Sequence, residues 1–278
     1  MKKVIKNIFF ILLGVFSLLG VNHLITRGVE SQQVEVEEEQ VKPVQVIETK
    51  KEKKVAKTST SVNESDSLPQ ASIKDWNLTL VGPENELEKE IDEASLETIK
   101  KTDQQLDKRV IDSYEELKEG AKKAGFDLVV VSAFRSVSYQ KEVFTSRVQE
   151  AKASGISEKE AREEVKKTST EPGYSEHHTG LALDVVDEDW QNNYQSELLE
   201  EEYGDAPGGK WLDENACEYG FIIRYPKDKE AITKITYEPW HLRYVGVENA
   251  KYITKHQLTL EEYRQILEEK DDYEKEEE

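Results

Sequence analysis

Two short segments hold three of the five histidines in this chain, and they restrict the folds that the chain can adopt. They are residues 175–184 (SEHHTGLALD) and residues 238–244 (EPWHLRY). Histidine is the commonest metal ligand, and a catalytic zinc site needs three protein ligands and one open position. We therefore expect a fold that brings these two distant segments to a single metal ion.

The first segment offers His177 or its neighbour His178, together with Asp184. Adjacent residues of an extended chain face opposite directions, so only one of the two histidines can easily point at a shared metal. Asp184 lies among apolar residues, where a carboxylate is costly unless it binds a metal or pairs with a charge. Gly180, between them, allows a backbone conformation that is closed to residues with a Cβ. The segment thus predicts one histidine ligand and one carboxylate ligand.

The second segment offers His241 as the third ligand and Glu238, three residues earlier, as a base for the attacking water. A third segment, residues 132–140 (SAFRSVSYQ), follows an apolar run and begins a helical pattern. There, Arg135 could hold a carboxylate or neutralise an oxyanion, and Gln140 could hydrogen-bond a peptide carbonyl. These side chains are the predicted catalytic and substrate-binding groups.

Helical and strand patterns alternate along the chain without a regular βαβ repeat, which favours the α+β class. Ser157 and Glu160 have the spacing of a capping box at a helix start. Helical spacing is found at residues 84–101, 112–124, 138–153, 157–167, 210–219, 247–256 and 259–269. Strands are predicted at residues 128–133, 181–186, 221–224 and 232–237, the last two as a hairpin.

The two ends of the chain differ from its middle. Residues 8–21 are mostly apolar and follow Lys2, Lys3 and Lys6, so residues 1–27 are predicted to be a signal peptide or an N-terminal membrane anchor. Residues 28–74 are polar and repetitive, which predicts a disordered tether. We expect residues 75–269 to form the folded domain and residues 270–278 to form an acidic disordered tail.

Charge and cysteine content exclude several classes of protein. The net charge of −20 disfavours binding to nucleic acid or adsorption to anionic lipid, both of which need a basic face. Cys217 is the single cysteine, so the chain cannot form an internal disulfide. An exported domain of this kind must rely on its own hydrophobic core.

Together, these motifs resemble those of the VanY-type zinc D-alanyl-D-alanine carboxypeptidases, which belong to the LAS group of metallopeptidases. Residues 175–184 fit the pattern S-x-H-x-x-G-x-A-x-D, and residues 238–244 fit E-x-W-H. Residues 132–140 are similar to the Arg/Gln segment of that family. The resemblance covers about residues 76–269, and all three motifs occur in the family order.

The resemblance implies a small, mostly antiparallel sheet flanked by helices. It selects His177 rather than His178, so that His177, Asp184 and His241 bind Zn²⁺ and Glu238 is the base. It also implies that Arg135 polarises the scissile carbonyl or holds the substrate. Two further residues, Ser175 and Trp240, would line the substrate pocket together with Gln140.

The substrate implied by the resemblance is the stem peptide of peptidoglycan, from which a C-terminal D-Ala is removed. D,D-cleavage of a pentapeptide and L,D-cleavage of a tetrapeptide both remain open. Two alternatives are a zinc-binding wall module without catalysis and an endopeptidase of the cross-bridges. We expect a monomer that acts outside the cytoplasm, anchored in the membrane through the N-terminal segment alone or secreted into the cell wall, without nucleic acid as a partner.

Overall fold

The computed structural model describes residues 67–194 and 196–276. Within these residues, we find no helix with the length and apolar character needed to cross a membrane. The apolar segment at residues 8–21 and most of the predicted tether lie outside the described residues, so their roles stay predictions.

A four-stranded antiparallel sheet forms the centre of the fold. Its strands lie in the order β3 (Leu128–Ser132), β4 (Ala182–Asp187), β6 (Glu238–Tyr244) and β5 (Phe221–Tyr225). Every residue of β4 is buried, as expected for an apolar strand between two neighbours. A separate hairpin pairs β1 (Leu96–Thr98) with β2 (Gln105–Asp107). The predicted α+β class and the small antiparallel sheet are confirmed.

Eight helices surround this sheet in the described residues. They are α1 (Ile111–Lys123), α2 (Val137–Ala153), α3 (Glu158–Val165), α4 (Glu188–Asn193), α5 (Pro207–Asn215), α6 (Glu230–Thr233), α7 (Val247–Lys255) and α8 (Leu260–Glu276). The predicted capping box is present, since Ser157 accepts from the Glu160 amide and Glu160 accepts from the Ser157 amide.

Two hydrophobic clusters fix the helices to the sheet. In the first, Tyr114 and Leu117 of α1 and Leu212 of α5 pack with Leu183 of β4 and Leu242 of β6. These side chains are fully buried, and each buried apolar side chain of this size contributes about 1.5–3 kcal/mol. The second cluster joins α7 and α8 to the other side of β5. The sheet is thereby held from both sides, which fixes the residues that lie on it.

Three predicted elements differ in the structure. Residues 84–101 form no α-helix, because Ile91 and Leu96 instead turn inward to pack beside Gly180. Residues 232–237 form no strand: α6 occupies Glu230–Thr233, and the strand that pairs with β5 is Glu238–Tyr244. The tail predicted from residue 270 is helical as far as Glu276, because α8 continues past residue 269.

Candidate active site

The register of two central strands places Asp184 beside His241. These residues are direct partners in the antiparallel pairing of β4 with β6. Directly opposite residues have Cβ atoms about 4.5–5.5 Å apart on the same face of a sheet. Leu183 and Leu242, one position away on each strand, face the hydrophobic core on the opposite side. The alternation of the strands thus separates the polar site from the apolar core.

His177 reaches the same face from a short 3-10 turn, Glu176–Thr179, that precedes β4. Gly180 ends this turn with a φ of 67°, the left-handed conformation expected at this position. A Cβ on Gly180 would also lie 3.0 Å from the backbone nitrogen of Asp107. The His177 ring is oriented by Ala133, whose carbonyl accepts a hydrogen bond of 2.7 Å from Nδ1. Nε2 is consequently directed at Asp184.

His178 is turned away from this point. Its Nδ1 donates to the carbonyl of Arg135 at 2.6 Å, and its Nε2 accepts from the amide of Gly173 at 3.2 Å. Both ring nitrogens therefore bind backbone groups, and His178 holds two loops together. Of the two adjacent histidines, His177 is the one that lies with Asp184 and His241.

The side chains of His177, Asp184 and His241 converge. His177 Nε2 lies 3.3 Å from Asp184 Oδ2, and His241 Nδ1 lies 3.1 Å from Asp184 Oδ1. One ligand atom from each residue lies within 4.8 Å of the others, and all three are buried. Ligands about 2.0–2.1 Å from a tetrahedral zinc ion would be separated by about 3.3–3.4 Å. Two imidazole nitrogens and a carboxylate at this spacing fit a zinc ion.

Burial and neighbouring charges set the protonation of the metal-free site. Burial lowers the pKa of His177 to about 4, and the charge of Arg135 acts in the same direction. Burial also opposes charge on His241, but contacts with Asp184 and Glu176 raise its pKa to about 9. His241 therefore carries a proton at neutral pH in the metal-free chain, and a bound cation would take the place of that proton.

Glu238 lies at the edge of the three converging side chains. Its Oε2 is 3.6 Å from His241 Nδ1, and the residue is 7% exposed. Burial of the carboxyl, with the negative charge of Asp184 beside it, raises the pKa of Glu238 to about 8, although the charges of His241 and Arg135 act against the shift. This raised pKa belongs to the metal-free site, and the positive charge of a bound zinc ion would favour the carboxylate form that a general base needs.

Arg135 enters the site from the loop between β3 and α2. Its Nη2 lies 3.9 Å from Asp184 Oδ2, and its Nη1 donates to Gln140 Oε1 at 2.9 Å. Gln140 in turn donates through Nε2 to the carbonyl of Thr170 at 2.8 Å. The amide of Gln140 is thus occupied by protein groups on both sides. It orients Arg135, whose buried Nε has no hydrogen-bond partner among the described residues.

These residues line a cavity of about 430 Å³. Ser175 and Trp240, the other two predicted substrate-binding residues, are part of its wall. Arg147 also lines the cavity, two turns beyond Gln140 on α2. The sequence gives no signal that separates Arg147 from other charged residues of this helix, except its spacing of seven from Gln140. Two guanidinium groups, those of Arg135 and Arg147, therefore line this cavity.

Three buried residues behind His241 were not predicted from the sequence: Glu176, Arg224 and Arg243. Burial would raise the pKa of the Glu176 carboxyl, yet the two guanidinium groups and His241 hold it far below its ordinary value. A signal was present, because both arginines interrupt apolar strand sequences, FIIRY and HLRY. A charge inside a buried strand needs a partner of opposite sign.

Comparison with known proteins gives a consistent result. A family model described as VanY, D-alanyl-D-alanine carboxypeptidase, matches residues 103–247. The chain is 32% identical over 228 residues to a D-alanyl-D-alanine carboxypeptidase of Enterococcus faecalis, a match covering 82% of this chain and 80% of that protein. It is 46% identical over 156 residues to the protein YodJ of Bacillus subtilis (strain 168). That match covers 56% of this chain and 52%, about half, of the relative.

Several solved structures are similar to this one. A mutant of the vancomycin-resistance D,D-pentapeptidase VanY in complex with Zn(II) has a TM-score of 0.59 and 34% identity, covering 68% of this chain and 99% of that one. The LD-carboxypeptidase LdcB has a TM-score of 0.57 and 34% identity, covering 73% of this chain and 96% of that one. The chain is thus similar to about the same degree to this D,D-pentapeptidase and to this LD-carboxypeptidase.

Proposed function

As a member of the VanY D-alanyl-D-alanine carboxypeptidase family, this chain is a zinc metallocarboxypeptidase, and we propose that it removes the C-terminal D-Ala from peptidoglycan stem peptides. The observation that carries this proposal is the convergence of His177, Asp184 and His241 beside Glu238 in one cavity. Zinc held by the first three residues would lower the pKa of the attacking water and polarise the scissile carbonyl.

In this proposal, Glu238 moves the proton. Its carboxylate takes a proton from the water whose oxygen attacks the carbonyl carbon of the scissile bond. When the C–N bond breaks, Glu238 delivers that proton to the nitrogen of the leaving D-Ala, so the carboxylate is restored. A purely binding module has no need for a buried carboxyl at this position, which favours an enzyme over the non-catalytic alternative.

Arg135 stabilises the negative charge that develops on the carbonyl oxygen during attack. Its guanidinium lies within 4 Å of Asp184 and is held by Gln140, so it is oriented before the substrate binds. Oriented donors in a buried site contribute more than mobile donors in water, because they need little reorganisation.

The two arginines that line the cavity favour removal of a terminal residue over cleavage inside a cross-bridge. A carboxypeptidase must recognise a free carboxylate, and Arg147 supplies a second guanidinium on the wall of the cavity. Charge-assisted hydrogen bonds from arginine to carboxylate are stronger than neutral ones. We assign Arg147 to the C-terminal carboxylate of the substrate, and Ser175 and Trp240 to the wall around its side chains.

A digest with defined peptides tests the proposed function. The purified full-length chain with one equivalent of zinc is incubated with a tetrapeptide stem, a pentapeptide stem and a cross-linked dimer, and the products are identified by mass spectrometry. We expect free alanine from a stem peptide that ends in D-Ala, and no free alanine from the same peptide ending in L-Ala. D-Ala from the pentapeptide assigns D,D-specificity, and D-Ala from the tetrapeptide assigns L,D-specificity.

The alternatives give different products in the same digest. A dimer cut into two stems without free D-Ala would assign an endopeptidase and refute the proposal. Zinc bound at one equivalent with every peptide intact would assign a binding module.

We also propose that the enzyme acts outside the cytoplasmic membrane as a monomer. Residues 1–27 would be the signal peptide or anchor, residues 28–74 the tether, residues 75–269 the catalytic domain and residues 270–278 an acidic tail. Support comes from the basic and then apolar order of residues 2–21 and from the extracytoplasmic location of peptidoglycan. Fractionation of cells into membrane, wall and medium, with light scattering on the purified chain, tests both statements.

A further inference from the structure

Four charged side chains are gathered behind His241, and one of them, Glu176, also borders the cavity. Glu176 lies in the 3-10 turn, Arg224 on β5, Arg243 on β6 and Glu261 on α8. We call them the Glu176 cluster. The side chains of Glu176, Arg224 and Arg243 are completely buried, and that of Glu261 is 20% exposed. The formal charges of the cluster sum to zero.

The hydrogen bonds of this cluster leave one acceptor for His241. Glu176 Oε1 accepts from Arg224 Nε at 2.7 Å and from Arg243 Nη1 at 2.5 Å. Glu176 Oε2 accepts from neither arginine and lies 3.4 Å from Nε2 of His241. Neither Glu176 Oε2 nor His241 Nε2 has a hydrogen-bond partner among the described residues. Each of these two buried atoms is therefore the nearest suitable partner of the other.

The arginines are themselves held in place by other elements. Arg224 donates to both carboxylate oxygens of Glu261, at 2.9 and 2.7 Å. Arg243 donates to the carbonyls of Asn77 at 3.1 Å and Thr79 at 2.6 Å. The cluster thus extends from α8 to the segment before β1, and it fixes the Glu176 carboxylate from two directions.

Buried ion pairs of this kind are weak contributors to stability, since apolar residues of similar volume often serve as well. In this structure, the geometry of the Glu176 cluster instead affects the protonation of the His241 ring. A carboxylate can only accept, so it selects the form of the His241 ring that carries a proton on Nε2. Nδ1, the nitrogen that faces Asp184 and lies beside Glu238, is then left with a lone pair for a metal.

We infer that Glu176 is a positioning residue for the metal ligand His241, and that Arg224 and Arg243 hold its carboxylate in place for this purpose. The two histidines differ in this respect, because His177 is oriented by the neutral carbonyl of Ala133. A carboxylate behind a metal-bound histidine makes the ring more basic as well as orienting it. The inference rests on the proposed function, because it takes His241 as a ligand.

The substitution Glu176→Gln tests the inference. Loss of an outer partner of a metal ligand typically lowers metal affinity 10–100-fold. We expect a loss of this size in zinc affinity, measured by competition with a chromophoric chelator. We also expect a changed visible spectrum when cobalt(II) replaces zinc, because the ring of His241 loses its fixed orientation. The matched control is Glu262→Gln on α8, which removes the negative charge that pairs with Lys229 and should leave zinc affinity within about twofold.

A measurement on the unaltered chain keeps the inference testable if Glu176→Gln does not fold. In the zinc-loaded wild type, nitrogen-15 NMR of the His241 ring should show the proton on Nε2 and the metal on Nδ1. Metal on Nε2 would overturn the inference, and so would a Glu176→Gln variant that folds and binds zinc as tightly as the wild type. A wild type that binds zinc but releases no D-Ala would instead refute the proposed function.

Discussion

Replacing Glu238 by Gln should abolish most of the activity and yet make the metal-free chain more stable. The substitution keeps the size of the side chain and removes its ability to accept a proton. General bases of this kind contribute about 10²–10⁴ in rate, which corresponds to about 3–5 kcal/mol of activation free energy. Zinc should still bind at one equivalent, because His177, Asp184 and His241 are unchanged.

The gain in stability follows from the pKa of Glu238. It is raised from 4.5 in an exposed carboxyl to about 8 in the folded, metal-free chain. Between these values the folded chain keeps a proton that the unfolded chain has lost, so stability falls as the pH rises from 4.5 to 8. At pH 7 this cost is about 3 kcal/mol, at about 1.4 kcal/mol per pH unit. Glutamine does not ionise and avoids this cost.

The assay has two parts. D-Ala release by the zinc-loaded enzymes gives the change in kcat, and guanidinium unfolding in the presence of a chelator gives the change in stability. The stability difference should be close to zero at pH 4.5 and about 3 kcal/mol at pH 7, and it should level off above pH 8. A Gln variant with wild-type kcat would remove Glu238 from the reaction. A stability difference that is independent of pH would refute the argument from burial.

Three further predictions concern specificity, backbone strain and pH. Arg147→Met should raise KM about 10–100-fold for a stem peptide with a free terminal carboxylate. For a peptide whose terminal carboxylate is capped as an amide, KM should be the same, and high, in the wild type and the variant. Equal effects of the substitution on both peptides would remove Arg147 from carboxylate recognition. Gly180→Ala should cost at least about 1–2 kcal/mol in thermal unfolding, because its φ of 67° is left-handed, and an unchanged melting temperature would contradict the geometry. Arg109→Gln should destabilise the chain by about 1–3 kcal/mol at pH 7, because it removes hydrogen bonds of 2.9 and 2.6 Å to the buried carboxylate of Asp107. Burial acts to raise the pKa of Asp107, but Arg109 lowers it below 3.8, so this stabilisation is present above pH 3.8 and is lost as the pH falls through the lower value; unfolding curves that differ equally at pH 7 and pH 2 would contradict it.

Local signals in the sequence predicted much of this fold. The capping box of Ser157 and Glu160 is present, and helix α1 buries Tyr114, Leu117 and Ala121 on one face as their spacing predicts. These features depend on neighbours within a few residues, so the local sequence is sufficient to predict them. The left-handed conformation of Gly180 was predictable for the same reason.

Strand β6 was not recognised, because its sequence, EPWHLRY, has neither the apolar alternation of a half-buried strand nor the apolar run of a central one. Its polar residues are buried by contacts with β4, β5 and the 3-10 turn, which are distant in sequence. Residues 84–101 show the opposite error: their apolar spacing suits a helix, but Ile91 and Leu96 are used to cover Gly180. Tertiary contacts decide both cases.

The candidate site shows the same division. The types and order of His177, Asp184, Glu238 and His241 were visible as motifs, whereas the choice between His177 and His178 required the resemblance. The structure shows that both nitrogens of His178 bind backbone groups. In the sequence, Glu176 was distinguished only by its position next to these histidines. Its role depends on arginines from two other strands, which no local pattern connects to it.

The central claim is that one zinc ion, held by His177, Asp184 and His241, is required for hydrolysis of a terminal D-Ala. The most direct measurement is a zinc titration of the chelator-treated full-length chain, with D-Ala release from tetrapeptide and pentapeptide stems followed at each step. We predict no release without zinc and a linear rise that stops at one zinc per chain. Full activity without zinc, or no release from either peptide at one bound equivalent, would contradict the account.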